Sequence, residues 1–252
     1  MARSFPPLTL ALVLLTAGLP ARSAPAAVQP DAPDRGGATS TVTTLSLSVN
    51  PVVYGQNVTL TATVVTSPPS ESVPTGSVQF GSIGTPITLD GSGQATLTTN
   101  TLPAQGAPYS ISAVYTSNSS SFAGSSSSAS NLSVLQASTA TTLSSSANPS
   151  VSGQSVTFTV TVAAVFPSTA VPAGEVQLFV NDASLGSAVA LNGSGQATFS
   201  IDDGLSLGLN FVKVEYAASD GDFNTSFSPT LNQVVNISNS NVYWSDTSTG
   251  TG

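Results

Sequence analysis

A stretch beginning Asn50-Pro51-Val52-Val53-Tyr54-Gly55-Gln56 and running to Val64 returns 98 residues later as Asn148-Pro149-Ser150-Val151-Ser152-Gly153-Gln154, running to Val162. Each copy opens on turn residues and then alternates strictly. Val58, Leu60, Ala62 and Val64 hold one parity, Thr59, Thr61 and Thr63 the other. In the second copy Val156, Phe158, Val160 and Val162 alternate with Thr157, Thr159 and Thr161. A period of two with β-branched residues on both faces is a half-buried strand. Self-similarity at this spacing means two copies of one domain, each of about a hundred residues, a common domain size.

Further landmarks repeat in the same order. Thr43-Thr44-Leu45 returns as Thr141-Thr142-Leu143, and Val73-Pro74-Thr75-Gly76 as Val171-Pro172-Ala173-Gly174. Gly91-Ser92-Gly93-Gln94-Ala95-Thr96 returns at Gly193–Thr198, now offset by 102, so four residues are added between. They are expected at the hairpin tip Asn181-Asp182-Ala183-Ser184, where insertion is tolerated. Tyr216 matches Tyr115 and Phe223 matches Phe122, both at 101. In the first copy the pattern predicts strands over 41–49, 56–66, 76–81, 87–89, 94–99, 109–116 and 131–136. Val212, Val214 and Tyr216 alternate with Lys213 and Glu215; the charged pair must face water, so the apolar trio faces a core, as Ile111, Ala113 and Tyr115 do in copy one. Seven short strands per copy, with turn signals between, predict an all-β chain of two tandem antiparallel sandwiches. Their bounds are 39–136 and 138–236, joined at Ala137-Ser138, a link too short for free tumbling.

The ionisable inventory is thin: 4 Lys+Arg, 12 Asp+Glu, no His and no Cys in 252 residues. A net charge of −8 argues against nucleic acid and anionic membranes, which need a cationic patch. Without His and Cys the usual general base, the thiol nucleophile and most zinc ligands are missing, and no disulfide can form. A Ser-Lys enzyme would have only Lys213, placed on a solvent face. A hydrolase built on paired carboxylates needs a cleft and a proton shuttle, whereas the acidic residues here are few and sit mostly in turns.

At the amino terminus, Arg3 precedes the apolar run Leu8–Leu19 and then small residues. This is the pattern of a secretory signal peptide, assigned to residues 1–26. Cleavage fits after Ser23 or after Ala26, and a retained anchor is the alternative, though the run is short for a membrane span. Residues 27–38, rich in Pro, Asp and Gly, read as a disordered spacer. Residues 237–252 form a tail for which three readings are open: its Val242, Tyr243 and Trp244 dock on the second domain, they begin a further strand, or the tail is the start of a larger region.

Together, Thr-Thr-Leu, Asn-Pro, Gly-Gln-x-Val-Thr-x-Thr, Val-Pro-x-Gly-x-Val-Gln, Gly-Ser-Gly-Gln-Ala-Thr and the Tyr before Phe122 or Phe223 resemble the bacterial immunoglobulin-like repeats of the Big3 type. The resemblance covers about residues 39–236. It implies immunoglobulin-like sandwiches and spacing or adhesion roles at cell surfaces, and it brings no catalytic residues. The hairpin after Phe80 is shorter than its counterpart. The antibody hallmarks, a cysteine pair and a core tryptophan, are missing.

Three features are candidate sites. Asp220-Gly221-Asp222, with Asp202 and Asp203, offers calcium the oxygen ligands it prefers, but Asp-Gly-Asp between strands is ordinarily a turn. The loop 117–130, almost all Ser, Asn, Ala and Gly, reads as a solvated flexible connection, with a ligand-binding loop the alternative. Sequons occur at Asn57, Asn118, Asn131, Asn192, Asn224 and Asn236, acceptors only in a eukaryotic secretory setting. No catalytic, cofactor-binding or metal-binding residue is assigned, and no cofactor. The expected function is a non-enzymatic secreted or cell-surface spacer or adhesion element. The alternative is a module that grips a glycan or a protein with its polar loops.

Overall fold

The computed structural model describes residues 37–238. The segments read as signal peptide, most of the expected spacer and the aromatic tail lie outside the described residues. Among the described residues there is no helix. The first repeat runs β1 (Thr41–Leu47), β2 (Val52–Val53), β3 (Val58–Thr66), β4 (Gly76–Phe80), β5 (Ile83–Thr88), β6 (Gln94–Thr99), β7 (Tyr109–Ile111), β8 (Ala113–Ser117), β9 (Ser125–Ser126), β10 (Ser130–Leu132) and β11 (Val134–Leu135). The second runs β12 (Thr139–Ser145), β13 (Ser150–Val151), β14 (Val156–Ala164), β15 (Gly174–Val180), β16 (Ala183–Ser184), β17 (Val189–Ala190), β18 (Gln196–Ile201), β19 (Gly208–Ala218), β20 (Ser226–Phe227) and β21 (Leu231–Asn236).

In each repeat a three-stranded sheet, β1-β3-β6 or β12-β14-β18, faces strands built around a second hairpin. In the second repeat these form one continuous sheet, β13-β21-β19-β15-β16 with β17 and β20 attached. In the first they are broken at Ser112, so that β7 pairs β10 and β8 pairs β4 and β9. The inward parity is the expected one. Val58, Leu60, Ala62, Val64, Ile111, Ala113 and Tyr115 are buried in one core, and Val156, Phe158, Val160, Val162, Val212, Val214 and Tyr216 in the other.

The turn residues have identifiable work. Asn50 donates its amide to Asn131 O and accepts from Ser133 N, and Asn148 does the same with Asn232 O and Val234 N. Each side chain thereby steers the chain across to the opposite sheet. There β2 pairs β11, and β13 pairs β21, in parallel, a pairing that the all-antiparallel expectation did not contain. Gln56 and Gln154 then accept from Val53 N and Val151 N, closing the turn. Tyr115 Oη donates to Thr75 O and Tyr216 Oη to Ala173 O, at 2.6 and 2.7 Å. The buried phenols thus keep their one donor satisfied.

The four added residues lengthen a hairpin by two on each arm. Phe80 pairs Ile83 across Gly81-Ser82 in the first repeat, whereas Phe179 pairs Ser184 and Val180 pairs Ala183 in the second. The turn there is Asn181-Asp182, with φ of 51° and 66°, the left-handed pair that a two-residue hairpin requires.

The loop 117–130 is not a free solvated connection. Phe122 bridges to Thr39, and β9 lies along β8. Ser125 Oγ hydrogen-bonds with Thr41 and Thr43, and Ser127 Oγ accepts from Ala113 N. Small hydroxyl side chains at this edge complete backbone bonding, which composition alone does not reveal.

Candidate functional site: the joint between the sandwiches

The two repeats are in direct contact. They meet where the Gly-Gln turn of the first touches the loops beside β14 and β19 of the second. Tyr54, carried by that turn, packs against both hydrophobic cores, and Val53 beside it packs against the second. The Tyr54 ring meets Phe223 edge to face. Gly55 O accepts from both the N–H and the hydroxyl of Thr169, at 3.2 and 2.9 Å. Gly55 has φ +79°, and a Cβ there would stand 2.5 Å from Ser168 Oγ and 2.8 Å from Ala170 Cβ. Only glycine lets the backbones approach this closely.

The Asp-Gly-Asp run closes the other side. Asp222 Oδ1 accepts from Ala104 N at 2.7 Å, and Gly221 O accepts from Gln136 Nε2 at 2.9 Å. Asp220 Oδ1 accepts from Asp222 N, which fixes the turn. So the run is a turn that also clasps the first sandwich. The linker is shorter than its sequence implied: Ala137 is buried in the second core and exchanges backbone bonds with Asp222 O and Asn224 N. A cleft of about 460 Å³ runs beside the joint between Ala104–Gly106, Leu135 and Gly221. Burial raises the pKa of the Tyr54 and Tyr109 phenols; the negative charge of Asp222 adds to both, and that of Asp220 to Tyr54.

Asp202 and Asp203 lie elsewhere. They line a cleft of about 350 Å³ with Ser150–Gln154 and Val235. That is the end of β14 where Val156 pairs Ile201, opposite the Ala164 end that adjoins the joint. The two acidic pairs are not brought together, and no three or more His, Cys, Asp or Glu side chains converge among the described residues. What this arrangement does chemically is hold two domains in register. Sequence reasoning missed Tyr54, Gly55 and Thr169. A difference between the copies was the available signal: Tyr54 stands where the second repeat has Ser152, and Asp222 where the first has Ser121.

Two sandwiches of shared topology and a tight joint define a tandem immunoglobulin-like module. The sequence matches the bacterial Ig-like domain (group 3) family twice, over residues 43–135 and 143–236, and the chain belongs to that family. No curated protein matches it. Among solved structures it is similar to a run of titin domains, with 15% identity over 79% of this chain and 66% of that one, at a TM-score of 0.45. It is similar to the tetra-tandem repeat in the extending region of a large adhesion protein, with 16% identity over 78% of this chain and 49% of that one, at 0.40. It is also similar to the adhesin InvE of Yersinia pseudotuberculosis, with 18% identity over 79% of this chain and 61% of that one, at 0.31.

Proposed function

We propose that this chain is exported and works outside the cell as a non-catalytic spacer or adhesion element, its two modules held as one stiff body. The observation that carries this reading is the joint. Tyr54 belongs to both cores, Gly55 bonds Thr169, and Asp222 caps Ala104 N. A linker built for independent domain motion would bury little and bond less. Family membership and the signal-peptide pattern support an extracellular setting. The lack of His and Cys in the sequence supports a role without catalysis. Small-angle scattering on the chain after removal of its leader tests the reading. The expected distance distribution has a tail reaching roughly twice one domain's length, and Asp222→Ala with Gly55→Val blurs it. A compact single-globule profile, or a profile that the double substitution leaves unchanged, overturns it.

A further inference from the structure

The outer faces of the two hairpin sheets differ in a way that folding does not require. On β19, Leu209, Phe211, Lys213 and Glu215 point outward while Asn210, Val212, Val214 and Tyr216 are buried. Phe227 on β20 pairs Glu215, and Val234 on β21 pairs Leu209, so both share this face. Leu209, Phe211 and Phe227 are 50%, 51% and 57% exposed. At the equivalent places the first repeat carries Pro108, Ser110, Ser126 and Ser133 around the same inward Ile111, Ala113 and Tyr115. The first repeat thus packs its core with serine at these places. Phenylalanine exposed in its stead is not needed for the core, and an exposed apolar patch of this kind marks a contact surface.

Charge narrows the occupant. Lys213 is the one cationic side chain among the described residues. It sits at the centre of this face, its ammonium 5.9 Å from the Phe179 ring centroid and 2.6 Å from Asp182. Glu215 is its neighbour on the same side of β19. A two-fold axis across β19 places each Lys213 over the other copy's Glu215 and packs the phenylalanines of the two copies together, a closed isologous contact. Four strands about 4.8 Å apart and seven residues of β19 give a face of about 400 Å², so two copies bury roughly 800 Å², the size of a weak, reversible contact.

We infer that the outer face of β19, with its flanking Phe211 and Phe227, is where two copies of this chain pair. Sedimentation velocity on the leader-free chain over a concentration series tests it. The wild type is expected to pass from one to two copies. F211S/F227S, which installs the residues of the first repeat, is expected to raise the dissociation constant at least tenfold with its melting curve intact. K213E and E215K are each expected to weaken pairing, and an equimolar mixture of the two is expected to restore it. Val114→Ser on the first repeat's face should change nothing. A wild type that stays monomeric to its solubility limit overturns the inference, as does F211S/F227S pairing as tightly as the parent. Association that the mixture of charge variants does not rescue overturns the two-fold register.

Discussion

Tyr54 and Phe223 belong to different sandwiches, and their rings meet at a centroid distance of 5.3 Å with planes 87° apart. Edge-to-face pairs of this kind add about 0.5–1.5 kcal/mol beyond the area they bury. Tyr54→Ser installs what the second repeat carries at Ser152, so the first sandwich should accept it locally. The expected cost is about 2 kcal/mol from lost packing, concentrated in the coupling between domains. Calorimetry should show one cooperative transition dividing into two; a single transition at the parent temperature would count against the joint.

Gly55 and Gly153 form an internal control. Their φ values are +79° and +80°, but a Cβ on Gly153 would meet nothing within 4 Å, whereas one on Gly55 would strike Ser168 and Ala170. Alanine at either site carries the left-handed backbone cost of about 1–2 kcal/mol. Gly55→Ala should cost about 1–3 kcal/mol more than that, because the opposing loop must move. Denaturant midpoints for the two variants measure the difference, and equal losses would mean that Gly55 has no joint-specific role.

The strands and their inward parity were legible because period-two alternation depends only on residue type, and the serial repeat supplied each assignment twice. The Asn-Pro and Gly-Gln signals were legible as turns. Their side-chain work was not, since Asn50 and Asn148 bond strands some eighty residues away. The parallel pairing of β2 with β11 follows from that bond, and two-residue strands are too short to show any period. Asp222 read correctly as part of a turn. Its grip on Ala104 is a contact across 118 residues, and no local pattern encodes a partner in another domain. The loop 117–130 misled because serine favours solvent by composition yet here bonds the backbone of an adjacent strand.

Tyr216 supplies a pH test. Burial, with a smaller contribution from Asp220, pushes its phenol up to about 12, against about 10 for an unfolded tyrosine. The folded state therefore holds the proton where the unfolded chain releases it, and stability is full below about pH 10 and falls as pH rises toward about 12. Tyr54 and Tyr109 are shifted in the same direction. Urea midpoints between pH 9 and 12 should fall less steeply for Tyr216→Phe than for the parent, after a loss of about 1 kcal/mol at neutral pH for the bond to Ala173 O. Tyr216→Ser should cost about 3 kcal/mol at neutral pH. Parallel curves for the parent and Tyr216→Phe would exclude this phenol as a source of alkaline instability.

Gln233 is fully buried, and its Oε1 has no hydrogen-bond partner, while Nε2 donates to Ala147 O, Ser150 Oγ and Val234 O. At the same two places the first repeat has Leu132 and Val52, both buried. The second core has thus exchanged an apolar pair for a polar one that leaves an acceptor orphaned. A buried unsatisfied group of this kind costs about 1–3 kcal/mol, and replacing both partners with apolar groups of similar shape removes the cost. Ser150→Val with Gln233→Leu copies a pair already packed in the same sheet geometry, and Ala147 O retains its bond from Ser145 Oγ. The double variant should be more stable than the parent by about 1–2 kcal/mol. Gln233→Leu alone should gain less, because Ser150 Oγ loses its partner, and Ser150→Val alone should gain nothing, because the orphan oxygen stays. Urea melts of the four proteins in this cycle decide the matter. A double variant weaker than the parent would mean that a buried water satisfies Oε1 and that the polar pair stabilises the second core.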